Sequence, residues 1–447
     1  MRNKSSLLFL TLSLLILVPN ADAEASQIQF SKSEKVLVVA PHPDDEALGL
    51  GGVLQQARSA GADIRVLYLT NGELNEMASI FYRKRPLVLR SDFIKNGLIR
   101  KNEAVDAMAF LGLGTEDLVF FGYPDGGMLN IWLKTWGSSK PFRSLFTRIN
   151  QVPYADCFSA GNYYRGDEII RDLEKLLLAF QPTRVFVTAP FDLNPDHQAA
   201  YLYLEVALMN LDAQLVPAPK VHLYVIHAHQ WPQPRKFSPA RSLRSPPKVD
   251  RAEGVHWTRV PMTVEESKKK AETIMKYKSQ IAYKKNFLLS FARTNEIVAD
   301  YPHERITPQA LPPQGSDAPF GAPAQNREVL YRIYGRDLWI QIPLSSRLDE
   351  MGVLSAYVFG YRKGFLFSDM PKFSFKLFGN KIFTYNGSRS YYDPALVYRF
   401  EKDRILIRIP LRLLKNPDHL FVSMRNAKEE KGLDFGAWKL LEIAKAS

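Results

Sequence analysis

Residues 35–46 read Lys-Val-Leu-Val-Val-Ala-Pro-His-Pro-Asp-Asp-Glu, and the fold of the first half of the chain follows from this stretch. After Lys35 the run is continuously apolar, the pattern of a strand buried on both faces of a parallel sheet. It ends abruptly in two prolines that enclose His42, followed by Asp44, Asp45 and Glu46. In open α/β sheets this position, just past the carboxyl end of a buried strand, is where ligands bind. The prolines stiffen the turn, and Gly49, Gly51 and Gly52 let the following helix approach the sheet closely.

Outward from this stretch the apolar period alternates. A helical pattern spans about 47–60, a strand 64–70, a helix 91–111 and a strand 118–121. A further helix follows at 167–180, then strands at 185–188 and near 221–227. This alternation predicts an α/β domain with a doubly wound, mostly parallel, Rossmann-like sheet. The stretch 122–166 is long and irregular, and loops of that length are usually lids or insertions. Residues 231–250 read as a surface loop, and Thr263-Val-Glu-Glu266 as a capping box opening a helix. Residues 302–323 hold six prolines without periodicity, which predicts a linker. Beyond it the period changes to two: Ile405, Ile407 and Ile409 alternate with Arg404, Leu406 and Arg408, and similar short runs recur. The expected division is 24–300 as the α/β domain, 301–326 as the linker and 327–447 as an all-β, sandwich-like domain.

Arg2 and Lys4 precede an apolar run, Leu7 to Val18, and Ala21-Asp22-Ala23 places small residues around a cleavage site. Residues 1–23 therefore read as a signal peptide, with export to the periplasm or the extracellular space as the expectation. The 447 residues carry 59 Lys+Arg against 46 Asp+Glu, a formal charge of +13. That excess suits an anionic partner such as a phosphate-bearing glycan or a lipid headgroup, including peripheral contact with a membrane or envelope. The runs 83–85, 268–270 and 284–285 add to it, although each alone reads as a solvated face. No helix-turn-helix, zinc-finger or ribonucleoprotein signature points to nucleic acid, and no feature specifies an oligomeric state. The single cysteine, Cys157, excludes a disulfide framework, so a metal would be held by histidines and carboxylates.

The fourth strand also ends in a polar stretch, Ala-Pro-Phe-Asp-Leu-Asn-Pro-Asp-His at 189–197. Both stretches leave the carboxyl edge of one sheet, which brings His197 toward His42 and Asp45. Two histidines and an aspartate with a fourth position open are the ligand set of a hydrolytic zinc site, and Fe2+ or Co2+ fit the same donors. Asp44, pointing away from the ion, is left free to take a proton from water.

On these motifs, residues 34–300 resemble the PIG-L/LmbE-like N-acetylglucosaminyl de-N-acetylases. Pro41 to Glu46 is the most specific piece; Gly51-Gly52, Thr70 to Glu73, Arg100 with Glu103, Pro124-Asp125-Gly126 and Tyr277 with Ser279-Gln280 support it. The resemblance implies zinc held by His42, Asp45 and His197, Asp44 as general base, and Arg100 and Asp125 holding the sugar. It implies removal of an acetyl or related acyl group from the nitrogen of an amino sugar, and the basic charge of the chain suits a substrate that is anionic. Trp132, Trp136, Tyr163 and Tyr164 either stack on sugar rings or form a small core.

One position departs from the family pattern. Its second motif usually reads His-x-Asp-His, whereas this chain has Asn194-Pro-Asp196-His197. Asn194 can donate a hydrogen bond to an oxyanion but cannot supply a proton. His227 and His229, two apart on an expected strand, are candidates for the missing acid. A glycan-binding protein that retains the metal pocket without turnover is the alternative reading. The same tetrapeptide recurs at 416–419, where it reads as a turn, so position after a buried parallel strand is what distinguishes 194–197.

Overall fold

The five strands nearest the amino terminus form one parallel sheet because each is apolar on both faces and each is followed by a helix or an insertion that covers one of them. These are β1 (Lys35–Ala40), β2 (Asp63–Thr70), β3 (Leu118–Tyr123), β4 (Arg184–Thr188) and β5 (Lys220–Tyr224). Two antiparallel strands, β6 (His256–Pro261) and β7 (Asn295–Asp300), complete a sheet of order β3-β2-β1-β4-β5-β7-β6. The structure is a computed structural model that describes residues 28–75, 80, 82, 84, 89–250, 254–310, 329–344, 353–401, 403–426 and 436–444. The expected signal peptide, residues 1–23, lies outside the described residues.

β1 pairs with β2 on one side and β4 on the other, so the strand order reverses at β1. That gap is the topological switch point, and both polar stretches open into it. The helices are α1 (Asp45–Ser59), α2 (Arg90–Leu111), α3 (Met128–Lys134), α4 (Gly166–Phe180), α5 (Pro195–Asn210), α6 (Val264–Ile274) and α7 (Lys278–Leu289). α1 packs so tightly that a Cβ on Gly49 would meet the Tyr224 ring at 2.4 Å, and one on Gly52 the Met262 sulfur at 2.3 Å.

The C-terminal region forms two sheets. One, of order β15-β16-β10-β9, contains β9 (Leu330–Tyr334), β10 (Asp337–Pro343), β15 (Val397–Phe400) and β16 (Arg404–Pro410). The other, of order β14-β13-β12-β11-β17-β18-β8, is built around β11 (Leu354–Tyr361), β12 (Lys372–Phe378), β17 (His419–Asn426) and β18 (Trp438–Ile443), with β13 (Lys381–Asn386) and β14 (Arg389–Ser390) at one edge and β8 (Glu304–Ile306) at the other. Ile340, Ile407 and Ile409 of the first sheet share a core with Val358, Phe375 and Val422 of the second, the two-sheet architecture that the alternation implies.

Two expectations are corrected, and one left open between two readings is decided. The stretch 301–326 is not wholly a spacer: Glu304–Ile306 forms β8, which adds in parallel to β18, while 311–328 lie outside the described residues. The fifth strand ends at Tyr224, before His227. Of the two readings of Trp132 and Trp136, stacking on sugar rings or packing in a core, the structure shows the core. Trp132 is fully buried, with ring centroids 5.1 to 6.0 Å from Phe359, Phe367, Phe421 and Trp438, and so joins the α/β domain to the C-terminal sheet.

The antiparallel strand β7 anchors α1. Glu296 is fully buried and accepts hydrogen bonds from Gly52 N at 2.6 Å and Val53 N at 2.8 Å, while Lys270 Nζ of α6 pairs with it at 2.6 Å. Glu296→Ala leaves the Lys270 ammonium buried without its carboxylate, and the expected loss of unfolding free energy is about 3–5 kcal/mol. Urea denaturation of Glu296→Ala checks this, and adding Lys270→Met to that variant should recover part of the loss.

Candidate metal centre

The site begins where β1 stops. Pro41 O, at the strand end, accepts from Thr70 N at 3.0 Å and from the Thr70 hydroxyl at 2.9 Å, which ties the turn to β2. Asp44 then takes φ +120°, a left-handed conformation costly for a non-glycine residue and typical of functional turns. Glu46 holds it there: its carboxylate accepts from Asp44 N at 3.1 Å and from the Tyr277 hydroxyl. Arg100 closes the turn from α2, donating to Pro43 O at 2.5 Å and Gly72 O at 2.9 Å, with Nη2 3.3 Å from Asp44 Oδ2.

The second limb leaves β4. Asp192 Oδ1 accepts from Asn194 N at 2.8 Å, and Oδ2 accepts from the backbone of Ile226 and His227, each at 2.9 Å. Asn194 caps α5, its Oδ1 accepting from Asp196 N at 2.9 Å, and Pro195 occupies the first helical position. Asp196 accepts from Gly126 N at 2.6 Å and Met128 N at 3.1 Å, binding the Pro124-Asp125-Gly126 turn to α5. This geometry turns His197 inward, fully buried.

Three donor atoms from the two limbs converge. His42 Nδ1 lies 3.1 Å from Asp45 Oδ2 and 3.3 Å from His197 Nε2, and His197 Nε2 lies 3.2 Å from Asp45 Oδ2. A tetrahedral ion with ligand bonds of about 2.0–2.1 Å separates its ligand atoms by roughly 3.3 Å, so the trio fits such an ion. The outer ring nitrogens also face carboxylates: His197 Nδ1 is 3.3 Å from Asp192, and His42 Nε2 is 3.2 Å from Asp125 and 3.4 Å from Asp196. Carboxylates behind histidine ligands fix the tautomer and orient the ring.

Burial sets the charge states. It works to lower the His197 pKa, but Asp45 and Asp192 outweigh it and raise the group to about 9. Burial likewise opposes the charge on His42, and Asp125 foremost, then Asp196 and Asp45, lift it well above the ordinary range. Burial raises Asp44 to about 6 against the pull of Arg100, and raises Glu46 to about 8 despite the Tyr277 hydroxyl. Asp45 is held well below the usual carboxylate range, burial notwithstanding, by the two imidazoles.

A cavity of about 470 Å³ opens over the trio. It is lined by His42, Asp44, Asp45, Arg100, Asp125, Asn194 and His227, with Lys284 and Phe287 of α7 across from them. His197 lies beneath, its ring centroid 4.9 Å from that of His227. His229 does not join them. It is exposed and lies past the end of β5, so strand alternation does not relate it to His227. Arg100 and Asp125 face the cavity while holding intramolecular partners, Asp125 accepting from Leu74 N at 2.9 Å. Sequence reading missed Asp192 and Asp196, although both lie in the quoted second stretch; their role depends on backbone donors from distant loops.

The raised histidines compete with a metal for protons, because a ligating imidazole must be neutral. Metal binding near neutral pH is therefore expected to release protons from the two imidazoles, with apparent affinity rising as pH increases. Calorimetric titration of Zn2+ into metal-stripped protein, in buffers of different ionisation enthalpy, measures that release.

Comparison with known proteins finds the following similarities. Over 45 residues the chain is 44% identical to a diacetylchitobiose deacetylase of Thermococcus kodakarensis, covering 10% of this chain and 17% of that protein. Over 181 residues it is 27% identical to a 1D-myo-inositol 2-acetamido-2-deoxy-alpha-D-glucopyranoside deacetylase of Corynebacterium diphtheriae, covering 40% and 53%. The chain thus spans about half or less of the length of these curated relatives. A solved N,N'-diacetylchitobiose deacetylase from Pyrococcus horikoshii aligns at 18% identity and a TM-score of 0.36, covering 60% of this chain and 84% of that one. Residues 37–208, which contain both limbs of the site, match the family model described as PIG-L: GlcNAc-PI de-N-acetylase.

Proposed function

We propose that the protein is a metal-dependent amide hydrolase that removes an N-acetyl or related N-acyl group from an amino sugar in a glycan, glycolipid or glycoside. The observation that carries this reading is the convergence of His42 Nδ1, Asp45 Oδ2 and His197 Nε2, with Asp44 beside them in an open cavity. The deacetylase names of the relatives support the reaction, and the signal-like residues 1–23 support action outside the cytoplasm. Lys284 at the cavity suits a substrate that carries negative charge.

A divalent ion held by the trio, Zn2+ or alternatively Fe2+ or Co2+, would supply Lewis acidity toward water and the amide carbonyl. The remaining chemistry belongs to side chains. Asp44, near 6, is largely ionised at neutral pH and takes the proton of the attacking water; once neutral, it returns that proton to the departing amine. Arg100 holds the Asp44 carboxylate in place. With its Oδ1 occupied by the helix cap, Asn194 presents its amide N–H groups to the oxyanion. We read His227 as a neutral hydrogen-bond donor rather than as the acid. Burial, with the charge on His197 and against Asp192, lowers it to about 4, so the imidazole is neutral and serves as a hydrogen-bond donor.

Incubation of the zinc-loaded protein with N-acetylglucosamine conjugates should release acetate, with mass spectrometry showing loss of an acetyl group from the sugar. Asp44→Asn is expected to lower kcat by about 10²–10⁴-fold while retaining bound metal, whereas His197→Ala loses the metal. Binding of these sugars by the wild-type protein without acetate release would favour the glycan-binding reading and overturn this one.

The neutral assignment of His227 gives a separate expectation. His227→Phe should reduce kcat by about a hundredfold through loss of a donor, and His227→Gln should recover much of it. A comparable loss in both variants would return His227 to the role of proton donor.

A further inference from the structure

A second cavity lies away from the candidate metal centre, on the other side of α7. It is a groove of about 940 Å³ with an apolar floor that includes Phe110, Met262 and Leu289. Its volume falls in the range of sites that hold drug-sized or larger ligands. Phe237, Val264 and Met275 line it while remaining exposed, Val264 at 80% of its surface and Phe237 at 48%. Large apolar side chains held out in water beside an apolar groove mark an interaction site.

The charge around the groove is one-sided. Lys268, Lys276, Lys278 and Lys285 line it against a single acidic residue, Glu272. Among the described residues none of the four lysines forms an ion pair. Lys276 Nζ sits 4.6 Å above the Phe110 ring, which keeps that ammonium over the apolar floor. The lining contains lysines and no arginine. Arginine suits the fixed, bidentate recognition of carboxylates on a folded partner, whereas lysines are mobile point charges that suit mobile headgroups.

We propose that this groove and its rim dock on an anionic phospholipid surface. Val264, Phe237 and Met275 enter the interfacial region, and the four lysines meet headgroup phosphates. The arrangement is that of a peripheral contact, in which partial apolar insertion and electrostatic attraction act together. The net charge of +13 supports the same orientation through long-range attraction. α7 is a shared wall: Lys285 and Leu289 face the groove, while Tyr283, Lys284 and Phe287 face the metal-centre cavity. The lipid surface would therefore lie within about one helix diameter, ~10–12 Å, of the candidate catalytic cavity. The proposal does not depend on the catalytic reading.

The test is co-sedimentation of the full chain with vesicles of phosphatidylcholine alone, or of phosphatidylcholine containing phosphatidylglycerol. Binding is expected to the anionic vesicles only and to weaken with added salt. A Lys268→Gln, Lys276→Gln, Lys285→Gln triple variant should bind on the order of a hundredfold more weakly, at about fivefold per lysine. Val264→Asp, at an exposed position, should also weaken binding, and acetate release from a soluble acetylated sugar should not change in either variant. Thermal unfolding curves matching wild type establish that the variants are folded. Absence of binding to either vesicle, or equal binding to both, overturns the proposal whatever the deacetylation assay gives. Wild-type binding by the triple variant also overturns it, and wild-type binding by Val264→Asp overturns the groove as the docking surface.

Discussion

The arrangement depends on one juxtaposition: two imidazoles and a carboxylate from chain segments about 150 residues apart occupy one buried point at the gap between β1 and β4. Three polar donors could not be brought so close in a dry interior without an ion or shared protons to balance them. The surrounding fold serves to hold these two limbs in register. The parallel pairing of Val36 through Val39 with Arg184 through Val187 sets their separation, and the Glu296 clamp fixes α1 behind the first limb. Asp196 and Asp192 bind the second limb to two other segments, 126–128 and 226–227, through backbone N–H groups. Each tie is a charge-assisted hydrogen bond at low exposure, the strong kind, and together they leave the donors little freedom to move apart.

The C-terminal sheets take part in this support. Gln198 follows His197 directly, and its amide donates to Asp192 O at 2.7 Å and to Gly436 O at 2.8 Å while its carbonyl accepts from Arg425 at 2.6 Å. Trp438 N donates to Pro190 O at 3.1 Å, and the Trp438 ring packs on Trp132. The second limb of the candidate site is thus braced from behind by the C-terminal sheets, of whose described residues none lines the cavity. The same contacts explain the aromatic content of 122–166: an insertion that reads as a lid is the layer through which one domain packs on the other.

What was legible in the sequence divides along physical lines. Continuous apolar strands announce themselves, so β1, β2, β4 and the switch point beside them could be read directly, and with them His42, Asp45 and His197. Strands β6 and β7 could not be anticipated, because they are short, mixed in polarity and defined only by their pairing with each other and with β5. Glu304–Ile306 was hidden in a proline-rich stretch for the same reason: three residues carry no period, and the edge of β18 supplies the order. Asp192 and Asp196 were visible as residues but not as ligand supports, since their partners, Gly126, Met128, Ile226 and His227, are backbone groups that carry no sequence signal. His229 illustrates the converse error, in which extending a strand by three residues places a side chain on a face that does not exist.

The departure at Asn194 is best understood as a change in how one position divides its duties. An asparagine is among the best helix caps, and here its carbonyl satisfies Asp196 N while its amide remains available as a donor. A histidine at the same place could carry a proton but would cap α5 poorly, so the substitution exchanges an acid for a firmer first turn beneath His197. A second exchangeable proton is then needed elsewhere only if Asp44 cannot serve in both directions. Its elevation to about 6, caused first by burial and moderated by Arg100, places it where accepting and returning a proton are both inexpensive near neutrality. In the proposed reaction, the left-handed turn, the Arg100 contact and an asparagine rather than a histidine at 194 leave a single carboxylate as the proton carrier.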